Sequence, residues 1–210
     1  MRTLLILLLN GCFLVLATVD SRAQGFAEEI ICYRESYKQA FVEEANSPLE
    51  ESDLDDLRFY EPDSTYKIKA YVTFIHDPEP FIIPTYSGVD KKYLRFAALN
   101  FKLHDEEIEL TLFKSLGLSD PIYADYLFLP FTDATNDVTT YGGGRYLDLK
   151  RSDIKGNEII IDFNKSYNPY CAYSAGYNCP IPPPENALNI SVEAGEKKFE
   201  GKYKGERRVK

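Results

Sequence analysis

The run Thr140-Tyr141-Gly142-Gly143-Gly144-Arg145 holds the residues whose types and spacing most directly suggest chemistry. Consecutive glycines let the backbone take positive φ and bring its N–H groups close to a ligand. A nest of amides beside a guanidinium suits a carboxylate, phosphate or sulfate. No Lys-Ser or Lys-Thr pair follows, so the run is not a nucleotide-binding P-loop. The competing reading is a turn or bulge where another stretch of backbone passes close.

Asp133, Asp162 and Glu185 offer a second chemistry, a pair of carboxylates for acid–base work in a hydrolase. Acids at strand ends also cap turns, which is the alternative for all three. A serine nucleophile has little support, because no Gly-x-Ser-x-Gly occurs. Tyr141, Gly143, Asn164, Asn168 and Asn186 complete the expected ligand-binding set, with Asp133, Arg145, Asp162 and Glu185. No cofactor is implied.

These residues need a frame. Asn168-Pro169-Tyr170-Cys171 and the stretch from Cys179-Pro180 to Glu185-Asn186 form a stiff, irregular loop with four prolines in positions 180–184. Proline fixes φ and cannot join a central ladder, so this loop should cross one end of a sheet as a lid or plug. Tyr167, Tyr170, Tyr173 and Tyr177 give it surface for packing or for holding a flat ligand. Cys171 and Cys179 enclose a short loop containing Gly176 and are the leading disulfide pair. Two free thiols, or a metal site using the distant His76 or His104, are the alternatives. Cys32 is expected to be a buried apolar residue on a helix.

Earlier in the chain, Phe26, Ile30, Tyr33, Tyr37 and Phe41 recur at helical spacing, the stripe of an amphipathic helix. Ser47-Pro48-Leu49-Glu50 reads as N-cap, first-turn proline and capping-box glutamate of a short helix through about residue 57. From Phe59 onward the period becomes 2. Tyr66, Ile68, Ala70, Val72 and Phe74 alternate with polar residues, and further strands read at 81–85, 93–103, 108–113, 126–131, 145–149, 158–164 and 188–193. Short turns between them favour antiparallel neighbours. The fold class is mainly β, an antiparallel sandwich or barrel of eight to ten strands with an N-terminal helical arm. The basic tail 197–210 should fray or form an edge.

Arg2, the apolar run 4–16 and Ser21-Arg22-Ala23 have the layout of a signal peptide cleaved before Gln24. A lipoprotein cysteine at Cys12 would have too few apolar residues ahead of it. Segments 1–23, 24–58 and 59–210 are then signal peptide, helical arm and β domain. The expected place is the periplasm or outside the cell, with no stable membrane insertion after cleavage. A formal charge of −9 argues against nucleic acid, whose phosphates demand a basic face.

Phe131-Thr-Asp-Ala-Thr135, Thr140 to Asp148, Asp162-Phe-Asn164, Tyr167 to Cys171, Cys179 to Asn186 and Ala194-Gly-Glu-Lys197 stand in an order and spacing that resembles the bacterial proteins carrying domain of unknown function 1684. The resemblance spans nearly all of the chain after the export segment. It implies a single exported domain and carries no established activity. It draws interest to Asp133, Arg145, Asp162, Asn164, Asn168, Cys171, Cys179, Glu185 and Asn186, while Cys32 matches none of its motifs. Residues and resemblance together lead to an expected ligand, a small anionic molecule or a glycan end at the Gly-Arg and proline-rich loops.

Overall fold

The computed structural model describes the backbone of residues 2–205 and the side chains of residues 23–205. The export segment, its cleavage site and Cys12 therefore fall almost wholly outside the described side chains. Among the described residues, no helix is long and apolar enough to cross a membrane.

Helix α1 spans Arg2–Glu43. Its expected stripe is the face turned to the protein, with Ile30 and Phe41 buried and Tyr33 and Tyr37 half-buried. Arg34 shares that face, its guanidinium 4.8 Å from the centre of the Phe59 ring. Cys32 corrects the expectation of burial. It lies about 200° around the helix from Ile30, on the solvent side, and is exposed and free. The second helix is a 3-10 segment, Glu51–Asp56, capped by Glu50 with Asp53. Ser47 does not cap it; Ser47 Oγ instead accepts from Leu49 N at 3.1 Å.

Seven strands follow rather than eight to ten: β1 Lys67–Phe74, β2 Phe81–Ile83, β3 Lys91–Leu103, β4 Glu106–Ser115, β5 Tyr126–Phe131, β6 Arg145–Lys150 and β7 Glu158–Asp162. They form one antiparallel sheet in the order β6-β5-β4-β3-β1-β7, with β2 beside β3, curled into a half-barrel. It is thus neither a two-sheet sandwich nor a closed barrel. Past β7 the chain returns to the far edge, where Tyr146 and Tyr167 exchange two backbone hydrogen bonds of 2.9 and 3.0 Å.

The main core lies on one face: Ile68, Ala70 and Val72 of β1, Ala97, Leu99 and Phe101 of β3, Leu110 and Leu112 of β4, Leu127, Leu129 and Phe131 of β5, and Leu147 and Leu149 of β6. Each Leu, Ile, Val or Phe among them, fully buried, stabilises by about 1.5–3 kcal/mol over exposure. A bulge between Arg95 and Ala97 shifts the register of β3. It lets Ala97 enter this core while Tyr93 turns to the other face. There Ile83, Tyr93, Phe113, Phe128 and Tyr146 form a second, aromatic cluster, with Phe81, Tyr126 and Tyr167 against it.

Residues 188–193 alternate in burial as a strand would, with Leu188 and Val192 inside, yet they form no strand. They run beside 132–134 with only scattered backbone bonds, Leu188 N to Thr132 O and Ala134 N to Ile190 O, and further on a side chain, Arg145, takes the Val192 carbonyl. The tail is also corrected: among its described residues, Lys197 N, Lys198 N and Lys204 N donate to Arg58, Thr139 and Tyr173 carbonyls. Lys204 Nζ pairs with Asp53, so this stretch is tied to the body.

Candidate functional site

The glycine run and the proline-rich loop do meet. An added Cβ on Gly144, at φ +86°, would lie 2.6 Å from Phe131 O and 2.7 Å from Pro182 Cγ. The space a ligand would need is already filled. Gly143 packs under the Tyr86 and Tyr141 rings, and Gly142 against the Asp137 carboxylate. Arg145 is fully buried and turned to the other side of its strand. Its Nη2 donates to Asp133 Oδ2 and to Val192 O, each at 2.8 Å, and its Nη1 donates to Ala194 O. The guanidinium thus satisfies the Val192 and Ala194 carbonyls of the extended 188–196 segment. The close-approach reading of the glycines is the one this geometry supports.

The other expected site residues are also bound into the frame. Asn186 Oδ1 accepts from Thr111 N at 2.7 Å, and its Nδ2 donates to Thr111 O and Pro130 O. It bridges β4 and β5 where their own pairing is short. Asn164 exchanges two bonds with the Asp63 backbone, Asn168 Nδ2 donates to Lys197 O, and Asp162 caps the turn that follows β7. Glu185 forms a two-pronged surface pair with Arg95 at 2.7 and 3.0 Å. Asp133, Asp162 and Glu185 therefore answer to three different partners. None of them lines either of two cavities that adjoin over the aromatic cluster, so neither gives the paired carboxylates a shared cleft. Tyr141 alone borders open space, a smaller cavity of about 220 Å³ beside Tyr86 and the Cys171–Cys179 disulfide.

Those two cavities share Lys91, Tyr146, Tyr167 and Pro180. One, of about 470 Å³, is walled by Tyr33, Tyr37 and Phe41 of α1 and by Tyr170 and Cys179 of the disulfide loop. The other, of about 570 Å³, runs along Tyr93, Ser115, Leu116, Tyr126 and Phe128. Asp148 of β6 stands in the first. Strand alternation puts it on the Tyr146 face, opposite the core residues Leu147 and Leu149. Tyr126 and Tyr167 both donate to Asp148 Oδ1, at 2.8 and 2.7 Å. Asp148 Oδ2 has no hydrogen-bond partner among the described residues.

Asp148 is exposed at the cleft mouth, with the Tyr126 and Tyr167 rings beside it. Partial desolvation by these neighbours raises its carboxyl above the usual range, against the opposing pull of the two phenols. Burial first, then the Asp148 charge, pushes the Tyr126 phenol up strongly and moves Tyr33 to about 12. Tyr146 OH is spent on Pro180 O, fixing that ring as a wall. Chemically, this is a cleft of ring faces with one oriented carboxylate oxygen left to accept from something else.

Sequence reading passed over Asp148, Tyr126 and Lys91. The available signal was Asp148 itself, a charged residue within the strand pattern 145–149. Its two tyrosine donors are 22 and 19 residues away, on other segments, and pattern reading does not join them.

The family model described as "Protein of unknown function (DUF1684)" matches residues 52–197. The chain belongs to the DUF1684 family. A solution NMR structure of an uncharacterised protein of Haloarcula marismortui is similar to this chain, with 34% identity and a TM-score of 0.66. That likeness covers 87% of this chain and 100% of the other. A comparison with curated proteins gives no match. The DUF1684 match takes in Lys91, Tyr126, Asp148 and Tyr167, whereas the α1 wall of the cleft lies ahead of it.

Proposed function

We propose that this protein binds a small ring-bearing organic ligand, a glycan end, in the tyrosine-lined cleft with Asp148 as its anchor. One observation carries the reading: two phenols aim at the same oxygen of Asp148, leaving the other oxygen unpartnered in an aromatic cavity. Sugar rings present apolar faces that pack on aromatic rings, and hydroxyls that donate to a carboxylate. A site at Arg145 lacks this support, since that guanidinium is buried and engaged by Asp133 and backbone. The cavities are of the size in which small-molecule ligands are held, roughly 300–1,000 Å³.

Export belongs to the same proposal. The N-terminal layout and the Cys171–Cys179 bridge both fit an oxidising compartment, where polysaccharides are available as ligands. Cell fractionation with N-terminal sequencing tests it, and a chain retaining Met1 in the cytoplasm would count against it.

Calorimetric titration against a panel of neutral and acidic oligosaccharides tests the cleft. Asp148→Asn keeps the shape and removes the charge, so a bound sugar should weaken by about 1.5–3 kcal/mol, the range for hydrogen bonds to a charged group. Binding should also fall as pH drops from neutral, because protonation removes the anionic acceptor. Its midpoint should lie above the ordinary aspartate value of about 3.9. Unchanged affinity in Asp148→Asn would remove the anchor from the account.

A further inference from the structure

The cleft holds a second charge that the protein leaves unmatched. Lys91, the first residue of β3, borders both cavities. It stands two residues before Tyr93, and strand alternation places it on the same face, opposite Ile83 of β2. It is half-buried, and its side chain has neither a hydrogen bond nor an ion pair among the described residues. Burial alone pushes its ammonium below the usual lysine range. Taking a cation partly out of water without a counter-charge costs free energy unless a partner arrives from outside.

Asp148 and Lys91 thus face one cavity with opposite charges and do not neutralise each other. Tyr146 and Tyr167 line both cavities and offer ring surface at the junction. Asp90 and Lys92 border only the second cavity, and both are exposed. A single desolvated ammonium balances a single negative charge. A doubly charged phosphate would also meet Asp148, Glu44 and Asp90 around the same space, which weighs against it.

We propose that Lys91 selects for acid and that the cleft's ligand is an acidic carbohydrate, with hydroxyls toward Asp148 and a uronate carboxylate at Lys91. This deepens the glycan reading above and depends on it. Lys91 is on this view a specificity residue, since Asp148 and the tyrosines would still hold a neutral sugar.

The test is a calorimetric comparison of cellotetraose carrying one terminal uronate with cellotetraose itself, on the whole chain freed of its export segment, for wild type, Lys91→Met and Lys91→Arg. Wild type should favour the uronate by about tenfold. The preference should shrink in added salt. Lys91→Met should abolish it without changing cellotetraose affinity, and Lys91→Arg should keep it. Equal binding of both probes, insensitive to Lys91→Met, would overturn acid selection and leave the cleft reading standing. Loss of both probes in a folded Lys91→Met, as judged by circular dichroism, would also overturn it, because Lys91 would then be a wall and not a selector. Wild type binding neither probe would overturn acid selection and the glycan reading together.

Discussion

Arg145 Nη2 lies 2.8 Å from Asp133 Oδ2, and neither side chain has any exposure to solvent. The pair spans the sheet and the extended segment after it, because the same guanidinium also reaches Val192 and Ala194 carbonyls. Removing one member strands a buried charge. Arg145→Met should therefore destabilise the protein by about 3–5 kcal/mol in urea denaturation. Asp133→Asn combined with Arg145→Met should cost less than the sum of the two single changes. A loss under 1 kcal/mol for Arg145→Met would mean that the 188–196 segment does not depend on this guanidinium.

Gly144 carries the other half of that corner. A methyl there would meet Phe131 O and the Pro182 ring, at a φ of +86° that side chains avoid. Gly144→Ala should lower stability by roughly 1–3 kcal/mol, through strain and displaced backbone. Gly88→Ala, at φ +79° with open space around it, should cost less, and thermal melts of the two variants compare them directly. Equal losses would put the whole effect in backbone conformation.

Glu196 gives a pH signature. It is fully buried, accepting from Tyr173 OH at 2.6 Å, Tyr37 OH at 2.9 Å and Asn168 N at 2.9 Å. Burial raises its carboxyl to about 7 despite those donors. The folded chain therefore holds a proton that the unfolded chain releases near pH 4.3. This contribution is complete below about pH 4.3 and is lost as pH rises to about 7, on the order of a few kcal/mol. Glu196→Gln should flatten that slope in denaturation measured from pH 4.5 to 8. An unchanged slope would assign it to other groups.

The thiols differ in setting. Cys171 and Cys179 are bridged across a separation of eight residues, while Cys32 is exposed on α1. Alkylation of the native protein freed of its export segment, and so of Cys12, should label Cys32 alone. Replacing both bridged cysteines by serine should cost about 2–3 kcal/mol if the short loop's entropy governs. Labelling at Cys171 in the folded, unreduced protein would refute the pairing.

Much of the frame was legible from pattern. The α1 stripe, the alternation in β1 and all of β5 are local properties, and the structure repeats them nearly residue for residue. Residues 188–193 misled because alternation reports burial, not hydrogen-bond partners, and here the backbone bonds to 132–134 are too few for a ladder while a guanidinium takes the Val192 carbonyl. The Gly-Arg and asparagine motifs drew attention in the sequence as candidate ligand contacts. Their unusual chemistry is spent on backbone: Asn186 on Thr111, Asn164 on Asp63, Arg145 on Val192. Asp148 was harder to see, since its setting is assembled by a bulge in β3, a return past β7 and the end of α1.

Amide chemical-shift mapping of the labelled protein, titrated with cellotetraose carrying one terminal uronate, tests the central claim most directly. The account predicts shifts concentrated at Lys91, Tyr126, Asp148 and Tyr167, reached only at higher ligand concentration in Asp148→Asn. Shifts gathered instead at Gly142–Arg145, or none at a saturating concentration, would contradict it.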